Sequence, residues 1–361
     1  MEFALSSDQV LMQDSLRSAL TRASSLDAVK QMASKGFAWD VTAWSAVREL
    51  GIPAMLVPEA YGGLGLSILD MALAAEELGR AITPVPFLGT CVLAPLALIL
   101  AGNEAQKEQY LPGIASGETV VGVAITEVVS GSYDGAGIES REGLLYGSAL
   151  FVLDGALSSH YLVATNDCSL YWVDALTAGV EREVLSVLDP TRPMVKLTFN
   201  GASAEQLPNA NLAVTERLRD AAWVIFAADI LGAGWAMIDK SVAYAHERRQ
   251  FGRQIGSFQA VKHMCSEMAA ELEITRGLVW YSAHAFDNLP HEASLCAAHA
   301  KSTLSEAGHF VARTATEIHG GMGITDELGL HYWYKRIETD RQLYGSPQHV
   351  RKHAAQIQSL I

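Results

Sequence analysis

Glu317-Ile318-His319-Gly320-Gly321-Met322-Gly323 closes a run, beginning at His291, in which apolar residues recur three and four apart. The spacing predicts a helix over 291–318, and the glycine pair suits the left-handed residue that ends such a helix. Upstream, a second helix is expected from near Phe258 to the Asn288-Leu289-Pro290 break. A third is expected from near Thr215 to Arg249, where Gly252 and Gly256 interrupt the pattern. Two shorter helices follow the glycines. Long helices joined by short loops predict an up-down antiparallel bundle.

Ahead of this bundle the period changes. Between Thr119 and about Leu207, short β-branched and aromatic runs (119–125, 144–146, 161–164, 170–173 and 194–199) alternate with turns such as Ser132-Tyr133-Asp134-Gly135 and Asp189-Pro190. They predict a small antiparallel barrel or sandwich. Before that, residues 7–117 read as helical. Met71, Ala74, Ala75 and Leu78 form one apolar stripe, with Glu76, Glu77 and Arg80 expected to face elsewhere. The expected fold is mainly α with a β insert. Its parts are an N-terminal α-helical domain over 1–117, a middle β-barrel or sandwich domain over 118–212, and a C-terminal four-helix-type bundle over 213–361.

With 361 residues and 50% hydrophobic composition, the chain can bury a large core. The net charge of −14 argues against nucleic acid, whose polyanion is gripped by clustered Lys and Arg. An anionic cofactor would need locally placed cations and backbone N–H groups. The opening Met1-Glu2-Phe3-Ala4-Leu5-Ser6 is acidic and amphipathic, so no leader is expected. No apolar stretch runs uninterrupted for ~20 residues, so no membrane span is expected. Cys91, Cys168, Cys265 and Cys296 lack metal spacing and read as buried free thiols, which fits a reducing cytoplasm. His263, His299, His309, His319, His331 and His349 make no i,i+4 pair with a flanking acid of the kind that marks a metal site, and no metal is expected.

Two segments carry chemistry. Arg248-Arg249-Gln250-Phe251-Gly252 with Phe258-Gln259 puts a permanent cation, an aromatic wall and an amide in one turn region. Arg can grip a phosphate with two prongs. On residue chemistry alone a solvated helix end is the simpler reading, and the glycines at 320–323 more often merely end a helix than admit a ligand.

Taken together and in order, these segments resemble the acyl-CoA dehydrogenase family over essentially the whole chain. The matching pieces are Tyr61-Gly62-Gly63-Leu64-Gly65, Gln106-Lys107-Glu108-Gln109-Tyr110-Leu111-Pro112, Thr126-Glu127, Arg248 to Gln259, and His319 to Gly323. The resemblance implies FAD held between subunits. The β domain of one chain would hold the flavin ring, through positions matching Thr126, Ser132 and Phe151. The neighbour would hold pyrophosphate and adenosine through Arg248, Phe251, Gln259, Gly320 and Gly321, with Glu317 and Ser346 also at cofactor positions. Ser132 and Gly345 match acyl-CoA contacts. An acyl-CoA substrate, an electron-transfer flavoprotein or similar acceptor, and a homo- or hetero-oligomer (dimer or tetramer) follow as expectations.

Several positions depart from the family pattern. Thr126-Glu127-Val128-Val129-Ser130-Gly131-Ser132 lacks the usual proline, and Phe151-Val152-Leu153 stands where Trp-Ile-Thr would, so Leu153 offers no donor to flavin N5. Glu317 replaces a usual Gln and would set a negative charge near a pyrophosphate. Tyr344, 25 residues after His319, stands where most members carry the glutamate base. A phenol, with an ordinary pKa near ~10, is a poor base at neutral pH, although its backbone N–H can still polarise a thioester oxygen. Some members carry the base on the first long bundle helix, where this chain has Ala222. Asp220 lies about 200° around that helix from Ala222, which turns it away from that position and makes it a weak candidate base.

The sequence therefore supports an FAD-dependent acyl-CoA dehydrogenase subunit. It is either self-sufficient with an unusual base or the base-lacking partner in a heteromer. A flavin monooxygenase or oxidase on the same fold, and a non-catalytic structural subunit, are the alternatives.

Overall fold

The computed structural model describes residues 4–35, 39–131 and 134–361. The N-terminal part consists of α1 (Ser7–Ala23), α2 (Leu26–Lys35), α3 (Val41–Glu49), α4 (Ile68–Arg80), α5 (Ala94–Ala101) and α6 (Glu104–Ala115). Side-chain oxygens of Ser6, Asp40, Ser67 and Asn103 accept backbone N–H groups and so start α1, α3, α4 and α6. The expected apolar stripe of α4 is buried. Glu76 and Glu77 are buried as well, contrary to the sequence expectation. Each is neutralised across a helix contact, Glu77 by Arg17 at 2.6 Å and Glu76 by Arg276 at 2.5 Å.

The middle part consists of β1 (Val121–Ala124), α7 (Thr126–Ser130), β2 (Gly137–Arg141), β3 (Leu144–Leu153), β4 (His160–Ala164), β5 (Leu170–Asp174), β6 (Val180–Val184), β7 (Met194–Ser203) and β8 (Glu205–Gln206). They form one sheet in the order β6-β7-β3-β1-β4-β5-β8, with β2 paired to β3. One edge of β3 takes β2 along its first half and β1 at Leu153, while its other edge takes β7. A strand shared in this way must bend, and Gly147 (φ +115°) and a bulge near Ala149 supply the bend. The sheet therefore curls. On β4, Tyr161 and Val163 pack inside the curl, while Leu162 and Ala164 join the helical core.

After α8 (Leu212–Glu247) come the hairpin strands β9 (Arg249–Gln250) and β10 (Arg253–Gln254), then α9 (Gln259–Asn288), α10 (Pro290–His319), α11 (His331–Gln342) and α12 (Pro347–Ile357). α8 runs through the centre, against α4, α9, α10 and α11. Its approach to α4 requires two glycines. A Cβ on Gly232 would lie 1.8 Å from the Glu76 carbonyl oxygen, and one on Gly79 would lie 2.1 Å from that of Asp229. Among the described residues α8 is the one helix long and apolar enough to cross a membrane. As 94% of its apolar window is buried inside the fold, its composition is that of a core helix.

Candidate active site

Where the sheet meets the bundle lies a cavity of about 550 Å³. Thr126, at the start of α7, and Phe151, near the end of β3, form its β wall. Ser186, Val187 and Leu188, on the connection from β6 to β7, form its rim. Glu338, Thr339, Gln342, Leu343 and Tyr344, at the end of α11, form its helical wall. The Thr126 hydroxyl donates to the Phe151 carbonyl at 3.5 Å. The structure thus brings the predicted ring-side residues Thr126 and Phe151 together with Tyr344, the residue expected where most members carry the base. Ser132 lies outside the described residues.

Two residues of this cavity have left-handed backbones although neither is glycine, Phe151 at φ +53° and Tyr344 at φ +55°. Such conformations cost free energy and persist only where the surroundings enforce them. At Phe151 the enforcement comes from the β3 bulge. At Tyr344 it comes from α8, where the Trp223 indole donates to the Tyr344 carbonyl at 2.8 Å and the Phe226 ring meets the phenol edge-on at 5.5 Å.

Behind the helical wall, Arg192 binds both carboxylate oxygens of Asp340, and its Nη2 also reaches Asp229 at 2.9 Å. Arg336 forks onto Asp229 at 2.9 and 3.1 Å and donates to Thr191. Lys301 donates to the Asp340 carbonyl. All five charged groups are buried. Against its burial, the Arg336 and Arg192 charges hold Asp229 below the usual carboxylate range. Asp340 is pushed up, first by burial and further by the charge on Asp229. This cluster ties the rim connection to α8 and α11, yet Arg192 and Asp340 are 148 residues apart, so no sequence spacing announces it.

The acids near Tyr344 are also raised. Burial pushes Asp154 up to about 6, opposed by Arg192 and by the Gly89 N–H at 3.3 Å. Glu127 is raised by burial while accepting the Leu150 N–H at 2.5 Å. Burial drives the Tyr344 phenol far upward, with Asp154 and Glu127 adding to the effect, and its hydroxyl has no hydrogen-bond partner. Tyr344 therefore keeps its proton. Ala222 is fully buried in α8. Asp220 is buried too, raised by burial and paired with Arg219 at 2.9 Å, and it does not line the cavity. Leu153 is buried and aligned with Val123 of β1.

None of the remaining predicted residues lines the cavity, and all but Gly345 and Ser346 lie at the end of α8, the start of α9 or the end of α10. Arg248 caps α8 with its N–H on the Tyr244 carbonyl. β9 and β10 pair across Phe251-Gly252, both at positive φ, as a two-residue primed turn requires. Phe251 is 91% exposed, and Arg248, Gln259 and Glu317 are exposed as well. The glycine turn joins this group through a stack of His319 on Tyr244 at 4.5 Å. Gly320 (φ +58°) and Gly321 face open space where a Cβ would project, so a ligand can approach the backbone closely. Gly345 (φ +114°) and Ser346 follow Tyr344, and the Ser346 hydroxyl caps α12 by accepting the His349 N–H. The four thiols are free, with Cys91 buried and the other three half-buried rather than buried as expected.

Comparison with known proteins identifies the family and the fold. The family model described as acyl-CoA dehydrogenase, N-terminal domain, matches residues 6–118, and that described as acyl-CoA dehydrogenase, C-terminal domain, matches 212–357. The chain is 30% identical over 345 residues to the acyl-CoA dehydrogenase IpdE2 of Mycobacterium tuberculosis, covering 95% of each chain. The ChsE4-ChsE5 complex from Mycobacterium tuberculosis has the same fold, with a TM-score of 0.91, 22% identity and full coverage of both chains. So does PigA with FAD and proline, with a TM-score of 0.87, 21% identity and full coverage of both chains.

Proposed function

The chain belongs to the acyl-CoA dehydrogenase family of oxidoreductases acting on CH–CH donors, and on that premise we propose that it is an FAD-dependent subunit acting on an acyl-CoA thioester. The observation that carries this reading is the division of the predicted ligand residues into two separate half-sites. Thr126 and Phe151 line a cavity beside Tyr344, whereas Arg248, Phe251, Gln259 and the Gly320-Gly321 turn are presented on the surface. A 91% exposed phenylalanine at the tip of a basic hairpin offers an apolar face beside cations, which suits a second chain's ligand.

These residues fit FAD. The exposed Arg248 can grip a pyrophosphate, and the open glycine turn lets backbone N–H groups approach it. Phe151 and Thr126 suit a flat ring. The flavin would accept the hydride that leaves the β-carbon and pass electrons to an electron-transfer flavoprotein or similar acceptor. The chain's own part is to hold the thioester against the cavity wall, with Gly345 at an acyl-CoA position directly after the Tyr344 backbone.

Complementation tests the division between chains. Arg248→Ala damages the exposed half-site and Phe151→Ala the cavity half-site, so each variant alone should lose most of its FAD. Mixed oligomers should recover flavin in the one site built from two intact halves. Failure to recover it would contradict sites shared between chains.

A second reading is favoured by one observation. Tyr344 keeps its proton, Ala222 has no polar group, and Asp220 is committed to Arg219. Removal of an α-proton needs a poised base. In this reading a different family member supplies the glutamate, and this chain donates its exposed half-site to that partner as one member of a heteromer.

A further inference from the structure

Lys301 lies in α10 with no exposed surface, and its ammonium donates to a main-chain carbonyl, that of Asp340, rather than to a carboxylate. The choice of acceptor is informative. In α11 the Asp340 carbonyl is the group that the Tyr344 N–H would take if the helix ran on. Instead the helix stops at Gln342. Leu343 turns extended (φ −61°, ψ 135°), and Tyr344 and Gly345 take φ +55° and +114°.

Both ends of Asp340 are held. Arg192 grips the carboxylate, and Lys301 grips the carbonyl. Phe226 sits beneath the two cations, 5.1 Å from Lys301 Nζ and 5.5 Å from the Arg192 guanidinium, and presents its ring to Tyr344. Burying an ammonium is costly, and burial pushes Lys301 down to about 7. An apolar side chain of similar volume would avoid that cost. What it could not do is occupy the Asp340 carbonyl.

We propose that Lys301 is a positioning residue that keeps the Tyr344 N–H out of α11 and at the cavity wall, where it donates to the carbonyl oxygen of a bound acyl thioester. This inference rests on the acyl-thioester reading of the cavity. Lys301 touches no ligand and acts only through Asp340 and the turn that follows it.

The test uses the full chain carrying Lys301→Met. The readout nearest to the device is the Trp223 indole N–H resonance, assigned through Trp223→Phe, because that group is bonded to the Tyr344 carbonyl. If Tyr344 joins the helix in Lys301→Met, its carbonyl swings away and the indole signal shifts upfield. An unchanged indole signal in the folded variant overturns the proposal. The second readout compares an acyl-CoA thioester with the matching thioether, which lacks the carbonyl oxygen. The wild type should prefer the thioester by about three- to tenfold, the effect of one hydrogen bond, and Lys301→Met should bind both alike. A preference that survives in Lys301→Met overturns the proposal. So does a wild type that binds both compounds equally, whether or not the variant folds. A wild type that binds neither compound contradicts the acyl-thioester reading itself, and the indole signal then decides whether Lys301 sets the turn.

Discussion

The indole N–H of Trp223 donates to the carbonyl oxygen of Tyr344 at 2.8 Å, across 121 residues of chain. The bond ties α8, next to Ala222, to the residue at the other position where family members carry a base. Both groups are buried, so Trp223→Phe leaves an unsatisfied carbonyl and releases the left-handed turn. A loss of about 1–3 kcal/mol is expected in urea unfolding.

Tyr344→Phe removes a buried hydroxyl that has no partner. Stability is expected to be unchanged or to rise by up to about 1 kcal/mol in thermal unfolding, since no bond is lost and an unpaired polar group is removed. Because the phenol keeps its proton, turnover of an acyl-CoA should stay within about twofold of wild type. A collapse of the rate would make the phenol a participant.

Asp154 is raised by burial to about 6, against an ordinary value near ~4. The native chain therefore binds this proton more tightly than the unfolded chain. The stabilisation is fully present below about pH 4 and is lost as pH rises through about 6. Asp154→Asn has no proton to release, so its stability relative to wild type should improve by on the order of 3 kcal/mol between about pH 4 and about pH 8. Chemical unfolding at several pH values measures this directly. A parallel pair of pH profiles would contradict it.

Arg192 joins the rim of the cavity to its helical wall through Asp340 and Asp229. Arg192→Met leaves two buried carboxylates facing a single arginine, and about 3–5 kcal/mol should be lost in guanidinium unfolding. Arg192→Lys keeps the charge but cannot reproduce the two-pronged geometry, so it should fall between wild type and Arg192→Met. Equal stability of all three would show that the cluster is neutral to the fold.

The bundle was legible because 3.6-residue periodicity and glycine or proline punctuation mark long helices. The helix expected over 291–318 is found at Pro290–His319. The sheet was only half legible. β6, Val180-Glu181-Arg182-Glu183-Val184, is a charged edge strand with little buried surface, so it shows no alternation to read. β3 was expected at 144–146 but continues to Leu153, because Gly147 reads as a break and acts as a bend. In the site, the turn region after α8 followed from local sequence although its hairpin pairing did not, and the missing carboxylate at Tyr344 followed from the family resemblance. The buried cluster did not. Its members Arg192, Asp229, Lys301, Arg336 and Asp340 come from separate elements, and each alone looks like a surface residue. Only the fold shows that all five are buried around one carboxylate pair.

The most direct measurement is anaerobic addition of acyl-CoAs to the purified chain, followed in the visible spectrum with flavin counted per polypeptide. FAD is expected to be bound and to bleach on addition of an acyl-CoA. Bleaching of the lone chain would mean that its base lies within it. Bleaching only after co-expression with a second acyl-CoA dehydrogenase chain would mean that the partner brings the base. A chain that binds no FAD in either state, or whose FAD no acyl-CoA bleaches, would contradict an acyl-CoA dehydrogenase subunit with shared flavin sites.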